Sequence, residues 1–235
     1  SSFAAFFANL VAPETQSLAM RRIRQSWREE SGNLSKLIKQ SKGLLPIPIV
    51  GERAPLAQIL LQGLETSIKQ YWATPGRPPA ILARLREAID VISAGRSIPD
   101  SEIVSFVQEA AQTISKSKMN GDGLCIILDE FGKTLEWAAL HASKTDLYLL
   151  QLLAEAANRK EKARFMLITI QHQGLDAYAD RLSLQQQREW EKVSGRFETI
   201  PYLESPRHLV RLVAEAIESS GDLKQLKAWG AHQKA

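Results

Sequence analysis

Apolar residues along this chain fall into two kinds of run. In the first kind they recur every three or four positions, the spacing that lines one face of a helix. Phe3, Phe6, Phe7, Leu10 and Val11 follow it, and Pro13 marks the end of that helix. Residues 54–71, 81–93 and 101–115 follow it too, the last with Asp100 or Ser101 as N-cap. Residues 14–42 read as a basic, weakly amphipathic helical stretch broken near Ser31-Gly32-Asn33. Further helical patterns run over 135–141, 146–158, 183–193 and 205–219. The second kind of run is short and continuous. Leu124–Leu128 and Phe165–Ile170 are largely apolar, as strands are when helices cover both faces of their sheet. Residues 44–50 hold two prolines and predict an edge strand, and residues 197–203 predict another short strand. Strands alternating with helices predict an α/β protein with a mostly parallel sheet flanked by helices. In such sheets ligands bind beyond the carboxyl ends of the strands, so the residues just after each run carry the chemistry.

Composition narrows this only a little. The 235 residues are 44% hydrophobic and 24% charged, ordinary values for a soluble globular protein. No apolar run reaches the length of a membrane span. The opening Ser1-Ser2-Phe3-Ala4-Ala5-Phe6-Phe7 lacks the basic leader and small-residue cleavage site of a signal peptide. The single cysteine, Cys125, leaves no disulfide within the chain and excludes a zinc site built on several cysteines. A reducing, cytoplasmic setting is the expectation. Thirty bases against 26 acids, a net charge of +4, permit nucleic-acid contact without demanding it.

The run Leu124-Cys125-Ile126-Ile127-Leu128 ends in Asp129-Glu130. Phosphoryl transfer gives two such carboxylates a use. Asp129 can hold a magnesium ion through its water shell, and Glu130 can orient the attacking water. The plainer reading is a pair of acids capping a strand at the surface.

A phosphate loop needs Gly-x-x-x-x-Gly-Lys followed by Ser or Thr, because its backbone N–H groups cradle phosphate. No such motif occurs. Gly132-Lys133-Thr134 is a decoy, since Ile127 stands where the first glycine belongs. The amino-terminal run instead reads as the helix that follows a phosphate loop. Ser1 would then be the magnesium hydroxyl, and Ser2 would lie near the α-phosphate. The Gly-Lys itself is then expected just before Ser1, and the chain is expected to be part of a longer protein. The other reading is an ordinary amphipathic helix.

Beyond Phe165–Ile170 comes Gln171-His172-Gln173. A polar side chain here can meet the γ-phosphate and the attacking water. Gln171 is the first candidate, then Thr169 and His172. No histidine spacing marks His172 as a metal ligand. Arg196, in Ser194-Gly195-Arg196-Phe197, could reach the nucleotide of a neighbouring subunit, or could pair with a local acid such as Glu198 or Glu191. Arg188 and Arg207 are further candidates.

Taken in order, these segments resemble the AAA+ and related STAND-type P-loop ATPases. The resemblance runs from Ser1 through the Walker B segment Cys125–Glu130 and the strand Phe165–Gln171 to Gly195-Arg196-Phe197. It implies a partial P-loop ATPase core over residues 1–221, a helical insertion over about 76–118 before the Walker B strand, and over 222–235 a basic tail or the start of a following region. It implies ATP and Mg2+ as ligands. The catalytic residues would be Glu130, Gln171 and Arg196, with Asp129 and Ser1 at the metal and Ser1, Ser2 and Thr169 at the nucleotide. Asp129–Lys133 followed by Asp146–Gln151 is similar to the ATPase module of large bacterial multidomain proteins, some of which act in defence against phage. The implied partners are further domains of the same protein or like subunits. The chain departs from this pattern in lacking the Walker A residues and a helical lid after Arg196. A second reading is a non-hydrolysing scaffold that binds protein or nucleic acid through Arg21, Arg22, Arg24 and Arg28 beside Trp27. A solvated helix face is the plainer account of those arginines.

Overall fold

A computed structural model describes residues 2–13, 18–29, 41–72, 78–116, 121–141, 146–159, 164–178 and 184–201, with 207, 210, 211 and 213–215. The chain divides into two compact units, Ser1–Phe197 and Glu198–Ala235. In the second, the described residues from Arg207 to Glu215 are helical, and Arg211 pairs with Glu215 one turn on. Ser1 and the tail from 222 lie outside the described residues.

The first unit opens with α1 (Ser2–Val11) and α2 (Leu18–Glu29), then β1 (Leu45–Val50). Three helices follow: α3 (Leu56–Tyr71), α4 (Ile81–Ser93) and α5 (Asp100–Lys116). The central strand β2 (Gly123–Asp129) leads into α6 (Gly132–Leu140), α7 (Asp146–Ala157) and β3 (Arg164–Thr169). A 3-10 turn (Leu175–Tyr178) and α8 (Leu184–Ser194) complete it. Among the described residues the strands form one parallel sheet, ordered β1-β2-β3. The fold is therefore α/β, with a parallel sheet flanked by helices.

Every residue of β2 is buried. Alternate side chains of a strand point to opposite faces, so β2 has two different neighbourhoods. Leu124, Ile126 and Leu128 join the large core beneath α3, α5 and α7. Cys125 and Ile127 join a small cluster with Ala4 and Leu44, flanked by Phe7, Val11, Ile168 and Ile170. Burying each such aliphatic side chain contributes about 1.5–3 kcal/mol, so the first face holds most of the stability.

The prolines of β1 fit its position. Pro46 and Pro48 lie on an edge strand and offer no donor to the sheet, while Leu45, Ile47 and Ile49 turn inward. Within the expected insertion, α5 packs on β2 and buries Ile103, Phe106, Val107 and Ile114. The strand expected over 197–203 is not formed by its described residues. Phe197–Pro201 is not a strand; Phe197 packs against the core, and Ile200 is 82% exposed.

The direction of α1 decides which of its ends meets the strand ends. The Leu44 N–H donates to the Val11 carbonyl over 2.7 Å, which puts the carboxyl end of α1 at the amino end of β1. The helix rests on β1 and β2, and its ten residues span about 15 Å. Its amino end therefore lies near the carboxyl edge of the sheet.

Candidate functional site

Three strand ends meet at that edge. The Gly51 N–H donates to the Asp129 carbonyl over 2.6 Å, tying the end of β1 to the end of β2. The Ile170 N–H donates to Leu128 over 2.8 Å, and the Phe131 N–H returns to Ile170 over 3.1 Å. The chain beyond β3 is thus zipped to the chain beyond β2, and Gln171 emerges beside the Glu130-Phe131 turn.

Asp129 is 4% exposed and stands on the α1 face, the next residue after Leu128 on the opposite face. Its Oδ1 accepts the Glu130 N–H over 3.0 Å. Glu130 then adopts φ of 51°, a left-handed conformation that is uncommon outside glycine. The turn it makes closes when the Lys133 N–H donates to the Glu130 carbonyl, 3.1 Å away. The Lys133 amine also donates to Glu130 Oε2. That hydrogen bond, reinforced by the lysine charge, lowers the Glu130 carboxyl from its usual value. Two glycines permit the arrangement. A β-carbon on Gly51 would stand 2.5 Å from the Glu130 carbonyl oxygen, and one on Gly132 would collide with the Tyr178 hydroxyl.

Gly132-Lys133-Thr134 forms the first turn of α6 rather than a phosphate loop. The Thr134 hydroxyl is buried and donates to the Glu52 carbonyl over 3.0 Å, so it is not free for a metal.

Gln171 is half-buried, and its side-chain Oε1 is fully enclosed without a hydrogen-bond partner. A buried amide oxygen of this kind calls for a water or a ligand group to donate to it. Thr169 pairs with Leu128 in register and so belongs to the helix-rich face, opposite Asp129. His172 is exposed. Ser2 begins α1, at the end nearer Asp129, although its side chain is not among those described.

Arg196 is placed differently. Its guanidinium holds Glu155 Oε1 on α7, through Nε at 3.0 Å and a second nitrogen at 2.8 Å, and also donates to the Lys192 carbonyl. Asp146, at the start of α7, accepts the Leu56 N–H just beyond β1 over 3.1 Å. Glu155 lies near the other end of α7, close to where the chain returns to start β3. Within its own subunit Arg196 is therefore separated from Asp129 by roughly the length of the sheet. Its partner is neither Glu191 nor Glu198.

The α2 arginines differ in their surroundings. Arg24 donates to the Ala12 carbonyl over 2.8 Å, capping the chain after α1, while Arg21 and Arg22 are exposed. The side chains of Trp27 and Arg28 lie outside the described residues. Cys125, fully buried, has its thiol pushed up to about 12 by desolvation, as expected of an inert packing residue.

Among the described residues no three His, Cys, Asp or Glu side chains gather as a metal cage. Magnesium does not require one. It keeps most of its waters and binds through one or two carboxylates together with substrate phosphates, so Asp129 at a strand end fits it. No described helix is long and apolar enough to cross a membrane. Sequence reasoning missed the Lys133–Glu130 contact, although the three-residue spacing could have disclosed it. It also missed Tyr178 over Gly132, for which the sequence holds no signal. No protein-family model, curated protein or solved structure matches the chain.

Proposed function

We propose that this chain carries the catalytic acids of a P-loop-type ATPase, in which Mg-ATP turnover drives a conformational change or assembly. One observation supports the reading above the others. The amino end of α1, the Asp129–Glu130 pair and the residue Gln171 all stand at the carboxyl edge of a parallel sheet, and the Gln171 side-chain oxygen is buried without a partner. A helix amino end favours anions, and the adjacent carboxylate suits the cation that accompanies nucleotide phosphates.

In this reading Asp129 would hold magnesium through its water shell, and the ion would supply the positive charge that the phosphates need. Glu130 accepts a hydrogen bond from the attacking water and aims it. Gln171 Oε1 accepts a second hydrogen bond from that water, which answers its lack of a partner. Ser2, at the amino end of α1, lies on the phosphate side. Arg196 enters the reading only in trans, at a neighbour's site, after release from Glu155. The phosphate cradle is not supplied by residues 1–235, whose sequence contains no Gly-x-x-x-x-Gly-Lys.

The test of the metal assignment is Asp129→Asn in the full-length protein. Calorimetric titration should give ATP affinity that rises with magnesium in the native protein and no longer does so in the variant. Magnesium dependence that survives the substitution would remove Asp129 from the site.

A further inference from the structure

Lysine in the first turn of a helix opposes the helix dipole, whose amino end is positive. Lys133 occupies that position in α6, and α6 has no acid in its first turn to offset it. The residue that offsets it is Glu130, outside the helix. The two are joined twice: Lys133 N–H donates to the Glu130 carbonyl, and the Lys133 amine donates to the Glu130 carboxylate. The left-handed backbone at Glu130 turns that residue toward the first turn of α6. Close packing of Gly51 against the Glu130 carbonyl keeps the turn in place.

The chemistry of the contact is asymmetric. Lys133 takes Oε2, and Oε1 is left as the acceptor for another donor. An exposed ion pair of this type contributes little to folding, since both side chains remain about half in solvent. Its effect is to restrict the rotamers of one carboxylate. A carboxylate that must aim a water benefits from that restriction, because a misplacement of about 1 Å can lower a rate about a hundredfold.

We propose that Lys133 is a positioning residue for Glu130: it anchors one carboxylate oxygen so that the other is presented to the attacking water. The proposal rests on the ATPase reading, in which Glu130 aims that water. It assigns Gly132-Lys133-Thr134 a role unrelated to a phosphate loop, with the lysine acting on the acid and not on phosphate.

The experiment is steady-state ATP hydrolysis by the full-length protein carrying Lys133→Met, Lys133→Arg, Glu130→Gln or Glu130→Gln with Lys133→Met. Lys133→Met should lower kcat by about ten- to a hundredfold with KM for ATP unchanged. Lys133→Arg, which keeps a donor at that reach, should recover most of the loss. In the Glu130→Gln background Lys133→Met should have no further effect, because residues acting through one another are not additive. Melting temperature monitors folding and should stay the same throughout. A kcat unaffected by Lys133→Met, while Glu130→Gln abolishes turnover, overturns the positioning role and leaves the ATPase reading intact. A raised KM with unchanged kcat would instead place Lys133 on the nucleotide, and also overturns it. Full turnover in Glu130→Gln removes the catalytic assignment of Glu130 and this role with it, whereas no turnover in the native full-length protein removes the ATPase reading.

Discussion

Ile126 and Ile127 are neighbours on one strand, equally inaccessible to solvent, and they live in different surroundings. Ile126 faces the broad core packed by α3, α5 and α7. Ile127 faces a thin cluster under α1, where a ten-residue helix provides most of the cover. The division of labour follows the faces. The helix-rich side supplies the cohesion that keeps β2 straight and buried. The α1 side, with Asp129 at its edge, carries the candidate chemistry. Strand alternation alone assigns the two roles, so a one-residue shift in register would exchange them.

Truncation offers the most forceful way to break this comparison. Ile126→Ala should cost about 4 kcal/mol in urea unfolding, since three packed helices cannot collapse onto the gap. Ile127→Ala should cost about 2 kcal/mol, because α1 can settle against the sheet. Equal costs, or the reverse order, would mean that α1 is as firmly packed as the opposite layer.

A gentler probe uses the thiol on the α1 face. Cys125 has its folded value raised to about 12 from an ordinary 9.0 by burial. The folded state thus holds a proton that the unfolded state gives up first. Its contribution is complete below pH 9 and is lost as pH rises toward 12, at about 1.4 kcal/mol per pH unit. Alkaline unfolding should therefore be shallower in Cys125→Ala than in the native chain, and thiol reagents should label folded protein slowly at pH 8. Rapid labelling under native conditions would show that the α1 face opens readily.

What could be read from the sequence was local. Ile81–Ser93 and the two apolar strands stand out because periodicity is a property of neighbouring residues. The Asp129–Glu130 pair and Gln171 are legible for the same reason, each following directly on an apolar run. Long-range pairings were not legible. Arg196 is 41 residues from Glu155, and Leu56 is 90 from Asp146, and no spacing rule joins either pair. The early start of α6 at Gly132 depends on the left-handed turn at Glu130, which propensity disfavours. Phe197–Pro201 shows the opposite error. The sequence suggests that a strand begins there, yet a strand also needs a neighbour to pair with, and Phe197 packs into the core instead.

The central claim is that Glu130 aims the water that attacks ATP. Its most direct test is Glu130→Gln in the full-length protein, with ATP binding and hydrolysis measured side by side. Binding should be preserved while hydrolysis falls at least about a hundredfold, the usual scale for losing a positioned acid–base group. Hydrolysis at the native rate would contradict the account.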